Sequence, residues 1–321
     1  MKRVVQILAL LLLTASAAVA QTFPSKPITM IVVFAPGGAT DVLARLVADH
    51  MGRTLGQRVV VENTTGAGGT IGGARGGQAA PDGYTLTVGS LGSHSAAPAI
   101  YQSIKYNPRE LEPIGLIAGT PLYFMVKNDF PAKTMQEFIA YAKANPGKVS
   151  SGHAGVGSTN HLACLLFMDV TGVQFNNIAY RGEGPAMKDL AGGHFDSACA
   201  LAPAVIPLLE GKLARALLVA QAERRPVTPD VPSAKDAGVD YIFQGWNAVF
   251  APKGTPADVT AKLQAALQAA VADKDVRKRM EEMGSVSATA ETVKPDHLRK
   301  LVDVEMNRWA KVIKAAGISE P

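Results

Sequence analysis

The sequence predicts an α/β protein with mostly parallel sheets. Short, β-branched apolar runs alternate along the chain with segments of helical periodicity, the pattern of strands joined by covering helices. Twice, about 120 residues apart, such a run passes through a glycine-rich loop directly into a helix, once at Gly37-Gly38 and again at Gly155-Val156-Gly157. The length of 321 residues suits about two domains with an ample core.

Residues 1–20 read as a cleaved signal peptide. Lys2 and Arg3 form a basic start, Ile7 to Val19 is apolar, and Ala18-Val19-Ala20 fits a small-x-small cleavage site before Gln21. That implies export to the periplasm and leaves 321 − 20 = 301 residues, with the formal charge falling from +5 to +3. No later segment has the roughly 18 uninterrupted apolar residues of a spanning helix.

Ile28 to Phe34 reads as a buried strand, and Leu43, Leu46, Val47, His50, Met51 and Leu55 follow at helical spacing. Val59 to Asn63 is the next strand, with a helix from about Thr70 to Ala80, then the turn Pro81-Asp82-Gly83. Tyr84 to Val88 is a third strand, ending in the polar loop Gly89 to Ser95. After a strand at Leu122 to Val126, Thr134-Met135-Gln136-Glu137 forms a capping box that opens a helix to about Ala144. The loop Gly152 to His161 enters a helix at Leu162 to Val170. Strands are expected at Asn177 to Tyr180, Phe195 to Leu201, Leu213 to Val219 and Gln244 to Phe250, with a helix at Pro185 to Ala191. Thr255-Pro256-Ala257-Asp258 looks like an N-cap followed by proline at the first helical position. The last helix, near Pro295 to Ala315, gathers Leu298, Leu301, Val302, Trp309, Val312, Ile313 and Ala316 on one face.

Composition excludes several classes. The basic residues are scattered and not interleaved with aromatics, which argues against nucleic acid. Gly66-Ala67-Gly68-Gly69-Thr70-Ile71-Gly72 misses the dinucleotide spacing by one residue, and no phosphate-binding P-loop motif occurs, so no cofactor is expected. Cys164 and Cys199 are two buried thiols or one bridge; sequence leaves both open. His153 and His161 lack the companions of a zinc site, and no metal is expected.

The two glycine-rich loops carry the chemistry. Each offers unpaired N–H groups and the positive end of a helix dipole, with no Cβ at Gly37, Gly38 or Gly157 to hold a ligand away. An anion is the natural guest. Ser158 does not sit in a G-x-S-x-G elbow, so an N-cap or ligand contact is expected of it in place of catalysis, and His161 is expected to satisfy a backbone or hinge hydrogen bond.

Blocks along nearly all of the mature chain carry a resemblance. They include Pro24-Ser25-Lys26-Pro27-Ile28, Phe34-Ala35-Pro36-Gly37-Gly38-Ala39-Thr40-Asp41, Val60-Val61-Glu62-Asn63, Pro81-Asp82-Gly83-Tyr84-Thr85-Leu86, Gly155 to Leu162, Tyr180-Arg181-Gly182, Asp189 to Gly193, and Trp246 with Ala251 to Pro256. In this order they resemble the Bug-type periplasmic solute receptors of tripartite tricarboxylate transporters. Thr64-Thr65 and Asn247-Ala248 depart from the commoner family pairs.

The resemblance implies a two-lobed type II periplasmic binding architecture with two crossovers. Residues 21–122 and 246–321 would form lobe 1, and 123–245 lobe 2. It implies no enzyme activity, a small mono-, di- or aromatic carboxylate held between lobes that close by a hinge, and delivery to membrane permease subunits, the monomer being the default state. Carried over by position, Gly37, Gly38, Ala39 and Thr40 hold the carboxylate from one lobe and Gly157, Ser158 and Thr159 from the other, with Phe34 and His161 beside them. Asp41 is expected to organise its loop, because its charge would repel the ligand. Ser90, Ser93, His94, Arg181, Ala202, Pro203 and Trp246 are expected around the far end, where Arg181 is either a partner for a second carboxylate or a hinge-side charge. A receptor signalling to a membrane sensor and a serine hydrolase built on Ser158 or Ser90 are the alternatives.

Overall fold

The computed structural model describes residues 23–320, so the signal peptide and the cleavage site after Ala20 lie outside the described residues. Strand β1 (Ile28–Val32) leads into α1 (Ala39–Leu55), and β2 (Val59–Asn63) follows. A short 3-10 turn runs into α2 (Thr70–Gly77), then β3 (Thr85–Ser90). Where a polar loop was expected, Gly92–Ala96 is a π-helical turn that continues into α3 (Ala97–Ile100). Next come β4 (Glu112–Lys127), α4 (Met135–Ala144), β5 (Ser150–His153), α5 (Thr159–Thr171) and β6 (Asn176–Ala179). The chain continues through α6 (Glu183–Ala191), β7 (Ser197–Leu201), α7 (Ala202–Glu210), β8 (Ala214–Val219) and β9 (Gln244–Ala251). It ends with α8 (Ala257–Ala272), α9 (Lys274–Glu282), β10 (Val286–Ser287) and α10 (Pro295–Ala316).

Strands β2, β1 and β3 are parallel, as are β6, β5 and β7. Each set forms the heart of one lobe. Strand β4 belongs to both: Glu112 to Pro121 pair with β9, and Leu122 to Val126 pair with β7. Strand β9 lies antiparallel between β3 and β4, so β4 spans both sets and β9 brings the chain back to the first. The sequence indicated only the second half of β4. Pro113, Gly115, Gly119 and Pro121 disguise the first half, and the ladder accommodates it by register shifts after Pro113 and Leu116.

Helix α1 buries Leu43, Val47 and Met51 and packs against α8. The capping box at Thr134 is present, with Glu137 N–H bonded to the Thr134 side chain. The expected cap at Thr255 is not: Thr255 Oγ1 donates to Pro252 O, Pro256 holds the cap position, and α8 starts at Ala257. Val312 is 41% exposed and leaves the buried face of α10, which Trp309 and Ile313 keep.

Cys164 on α5 and Cys199 on β7 form a disulfide, which closes the choice the sequence left open. With its ends 35 positions apart in the sequence, loop-closure entropy gives the bridge about 3 to 4 kcal/mol. Reduction is therefore expected to lower the unfolding free energy by about that amount in urea titrations. An unchanged midpoint with both thiols shown free would contradict it.

Candidate functional site

The start of α1 faces the lobe carrying β5 to β8 across a narrow cleft. Phe34, Gly38, Ala39, Thr40 and Ser90 line one side; Ala154, Thr159, Asn160, Glu183 and Leu201 line the other. The loop before α1 turns through Gly37 at φ +85°, where a side chain would be strained. Asp41 locks that loop from inside: it accepts from Gly37 N–H at 3.1 Å, from Asn63 Nδ2 at 2.8 Å and from Arg45, while Asn63 also donates to Phe34 O. Burial pushes the Asp41 pKa up, but the bonds from Arg45, Asn63 and Gly37 outweigh it and hold the carboxylate below its usual range.

The second loop commits its own donors in the same way. Ser158 caps α5 by accepting from His161 N–H, Gly157 N–H donates to His161 Nδ1, and Ser158 N–H donates to Gly155 O. Gly157, Ser158 and His161 therefore brace the loop behind the cleft wall, and the residues it presents are Thr159 and Asn160. Among the described residues no hydrogen bond joins the Ser158 hydroxyl to an imidazole.

Glu183, at the start of α6, occupies the centre. It is 4% exposed, and its Oε2 accepts from Ala39 N–H at 2.9 Å across the cleft. Its Oε1 accepts from Asn160 Nδ2 at 2.7 Å and Leu201 N–H at 2.6 Å within its own lobe. Burial raises its pKa against the pull of these three donors. The sequence contained Glu183 in Arg181-Gly182-Glu183-Gly184, and its only signal was an acid in the first turn of a helix after a glycine. Burial and partners across the cleft are not visible in such a pattern.

Other expected residues lie outside the inner lining. His94 is fully buried, stacked on Phe250 at 4.6 Å, with Nδ1 bonded to Ser93 Oγ at 3.0 Å. Ser93 in turn meets Ser90, and Thr159 reaches Ser90 at 3.5 Å, so His94 is linked to the cleft through this chain of hydroxyls. Ala202 and Pro203 begin α7 just past Leu201. Trp246 is buried in β9, and the adjacent Asn247 donates to Thr40 Oγ1 at 2.9 Å. Arg181 is exposed and lines an outer groove of about 560 Å³ that meets the cleft at Ala154 and also takes in Thr65 to Gly68 and Tyr180. A larger groove of about 710 Å³ runs between α1 and β2 among Arg45, Arg53 and Arg58, away from both glycine loops.

At the seam each contact uses a backbone group on at least one side. Ala35 N–H donates to Arg181 O, Gly92 N–H to Thr159 Oγ1, and Tyr101 OH to Val156 O. A Cβ on Gly184 would run into Pro36 O, and one on Gly68 into Val156 O, so glycine is required at both points of approach. The cavity left in the cleft is about 10 Å³, room for one water at most.

A family model described as tripartite tricarboxylate transporter family receptor matches residues 43–318. BugT of Bordetella pertussis is 35% identical over 323 residues, covering 99% of this chain and 98% of its own. MatC of Rhodopseudomonas palustris, solved with bound malate, superposes with a TM-score of 0.87 at 38% identity, over 91% of this chain and 100% of that one. A second R. palustris protein, solved with adipate, gives 0.88 at 32% identity, over 92% and 99%.

Three imidazoles are buried beside the cleft. Burial lowers His94 to about 3, His153 to about 4 and His161 to about 3, the last also through His153, whose ring centroid is 4.4 Å away. All three are neutral in the fold and bind protons below about pH 6.5 once unfolded. The unfolded state then holds more protons, so stability falls as pH drops from about 6.5, by up to about 1.4 kcal/mol per unit for each histidine. Glu183, raised by burial, acts in the opposite sense but is one group against three. Urea midpoints between pH 7 and 5 are expected to decline toward acid; a flat or rising profile would contradict the buried neutral imidazoles.

Proposed function

The chain belongs to the tripartite tricarboxylate transporter receptor family, and on that premise we propose that it is an exported, periplasmic receptor for a small organic acid. It is a solute-binding protein by family. In the proposed action one carboxylate of the ligand is gripped between the lobes and delivered to membrane permease subunits. The observation that carries the reading is the opposed pair of helix starts, α1 and α5, with uncharged donors converging on a cleft. Malate in MatC and adipate in its neighbour support the ligand class.

The proposed seat uses the Ala39 N–H and Thr40 hydroxyl from lobe 1, with Thr159 from lobe 2, while Asn160 and the Leu201 N–H hold Glu183 beside it. Ser90 and Phe34 wall it, and Gly38 lets the carboxylate reach the backbone. The rest of the ligand extends past Ala154 toward the outer groove, where Arg181 meets a second carboxylate. We place the lobe boundaries where β4 passes from β9 to β7, near Leu122, and where the chain returns through the start of β9, near Gln244. The open cleft grips its ligand by hinge closure, driven by contacts that exist only when both lobes touch it. A membrane sensor as recipient is separated from a permease by uptake measurements in a strain lacking the permease.

A thermal-shift screen with malate, adipate, citrate and aromatic acids beside their amides tests the reading. An acid at ~100 times its Kd adds about 2.7 kcal/mol and several degrees to the melting point, while amides add little. Thr40→Val is expected to weaken the best acid about tenfold, the value of one hydrogen bond to a charged group. Equal shifts by acids and amides, or none by either, would overturn the carboxylate seat.

A further inference from the structure

We propose that Glu183 is a resident carboxylate that occupies the receptor's own anion seat and clasps the lobes shut, so that a ligand carboxylate has to take the Ala39 N–H away from it. The inference rests on the reading of the cleft as a carboxylate seat.

The geometry carries it. Glu183 already makes the contacts such a ligand would make: one oxygen on the N–H at the start of α1, the other on an amide and a backbone N–H of the opposite lobe. Among the described residues no ammonium or guanidinium pairs with it, so neutral donors and the α1 dipole hold its charge. The cleft around it retains about 10 Å³, too little for any organic acid. Seat and occupant cannot both accept a ligand in this arrangement.

The bonds also divide unequally. Asn160, Leu201 and Glu183 belong to one lobe and move together; Ala39 belongs to the other. Opening therefore breaks the Ala39 bond and leaves Glu183 held by its two other donors. It frees the N-terminus of α1 for an incoming carboxylate. Two ionised carboxylates on one N–H repel each other, so the ligand displaces Glu183 Oε2 and does not share the site. Glu183 then sets the affinity threshold: only an acid with further contacts, such as one reaching Arg181, outcompetes it. The apparent affinity is reduced by the fraction of molecules that are open.

The experiment uses the mature protein, Glu183→Ala and Glu183→Gln. Glu183→Ala removes the equivalent of acetate and leaves three donors around the gap. Acetate is expected to raise the melting point of Glu183→Ala and leave the parent unchanged. Small-angle scattering is expected to find the unliganded parent compact, Glu183→Ala expanded, and acetate or malate restoring compactness. Malate should bind Glu183→Ala about tenfold more tightly than the parent, as expected when a competing closed state is removed. Glu183→Gln keeps the volume but turns an amide N–H₂ toward Ala39 or Asn160, and is expected to expand as well. An expanded unliganded parent, compact variants, or equal acetate effects on parent and variant would overturn the clasp. Failure of every organic acid to bind either protein would count against the receptor reading instead, while the scattering comparison still decides the role of Glu183.

Discussion

The unpaired N–H groups at the start of α1 are the constraint on which the rest of the site depends. A helix leaves its first donors without partners, and a buried helix start must find an acceptor. In this protein Gly37 N–H, in the loop just ahead of the helix, is satisfied by Asp41, while Ala39 N–H, at the first helical position, reaches across to Glu183. The first bond shapes the loop. The second joins the lobes. An anionic guest is thus written into the backbone, with no arginine needed in the inner cleft.

That economy explains the closeness of the seam. Backbone donors have a short reach, so the lobes have to approach until Gly184 lies on Pro36 and Gly68 on Val156. Side chains at those points would hold the cleft open. The brace residues follow from the same need: Ser158 and His161 spend their polar atoms on the α5 start, and Asn247 spends its amide on Thr40, so the donors that remain are fixed in direction. Fixed donors favour a carboxylate over water because they need no rearrangement to meet it.

Much of the fold was legible because it follows local rules. The runs at Ile28 and Val59 and the capping box at Thr134 appear where pattern and caps put them. The misses have physical causes. Prolines and glycines hid the first half of β4, which is tolerated because its ladder shifts register. Pro203 and Pro207 masked α7; the first sits in the opening turn, where its missing N–H costs little. The polar stretch after β3 became a π-turn around a histidine sealed by Phe250. Both glycine loops were visible from their residues, but which N–H groups stay free depends on bonds such as Gly157 to His161. Glu183 was hidden most completely, since its partners lie 144 residues back and 18 residues on.

A crystal structure of the mature protein with its tightest acid tests the central claim most directly. The account predicts a ligand carboxylate oxygen within hydrogen-bond distance of Ala39 N–H, with Glu183 drawn back onto Asn160 and Leu201. A ligand lodged in the groove between α1 and β2, with Glu183 still bonded to Ala39, would contradict it.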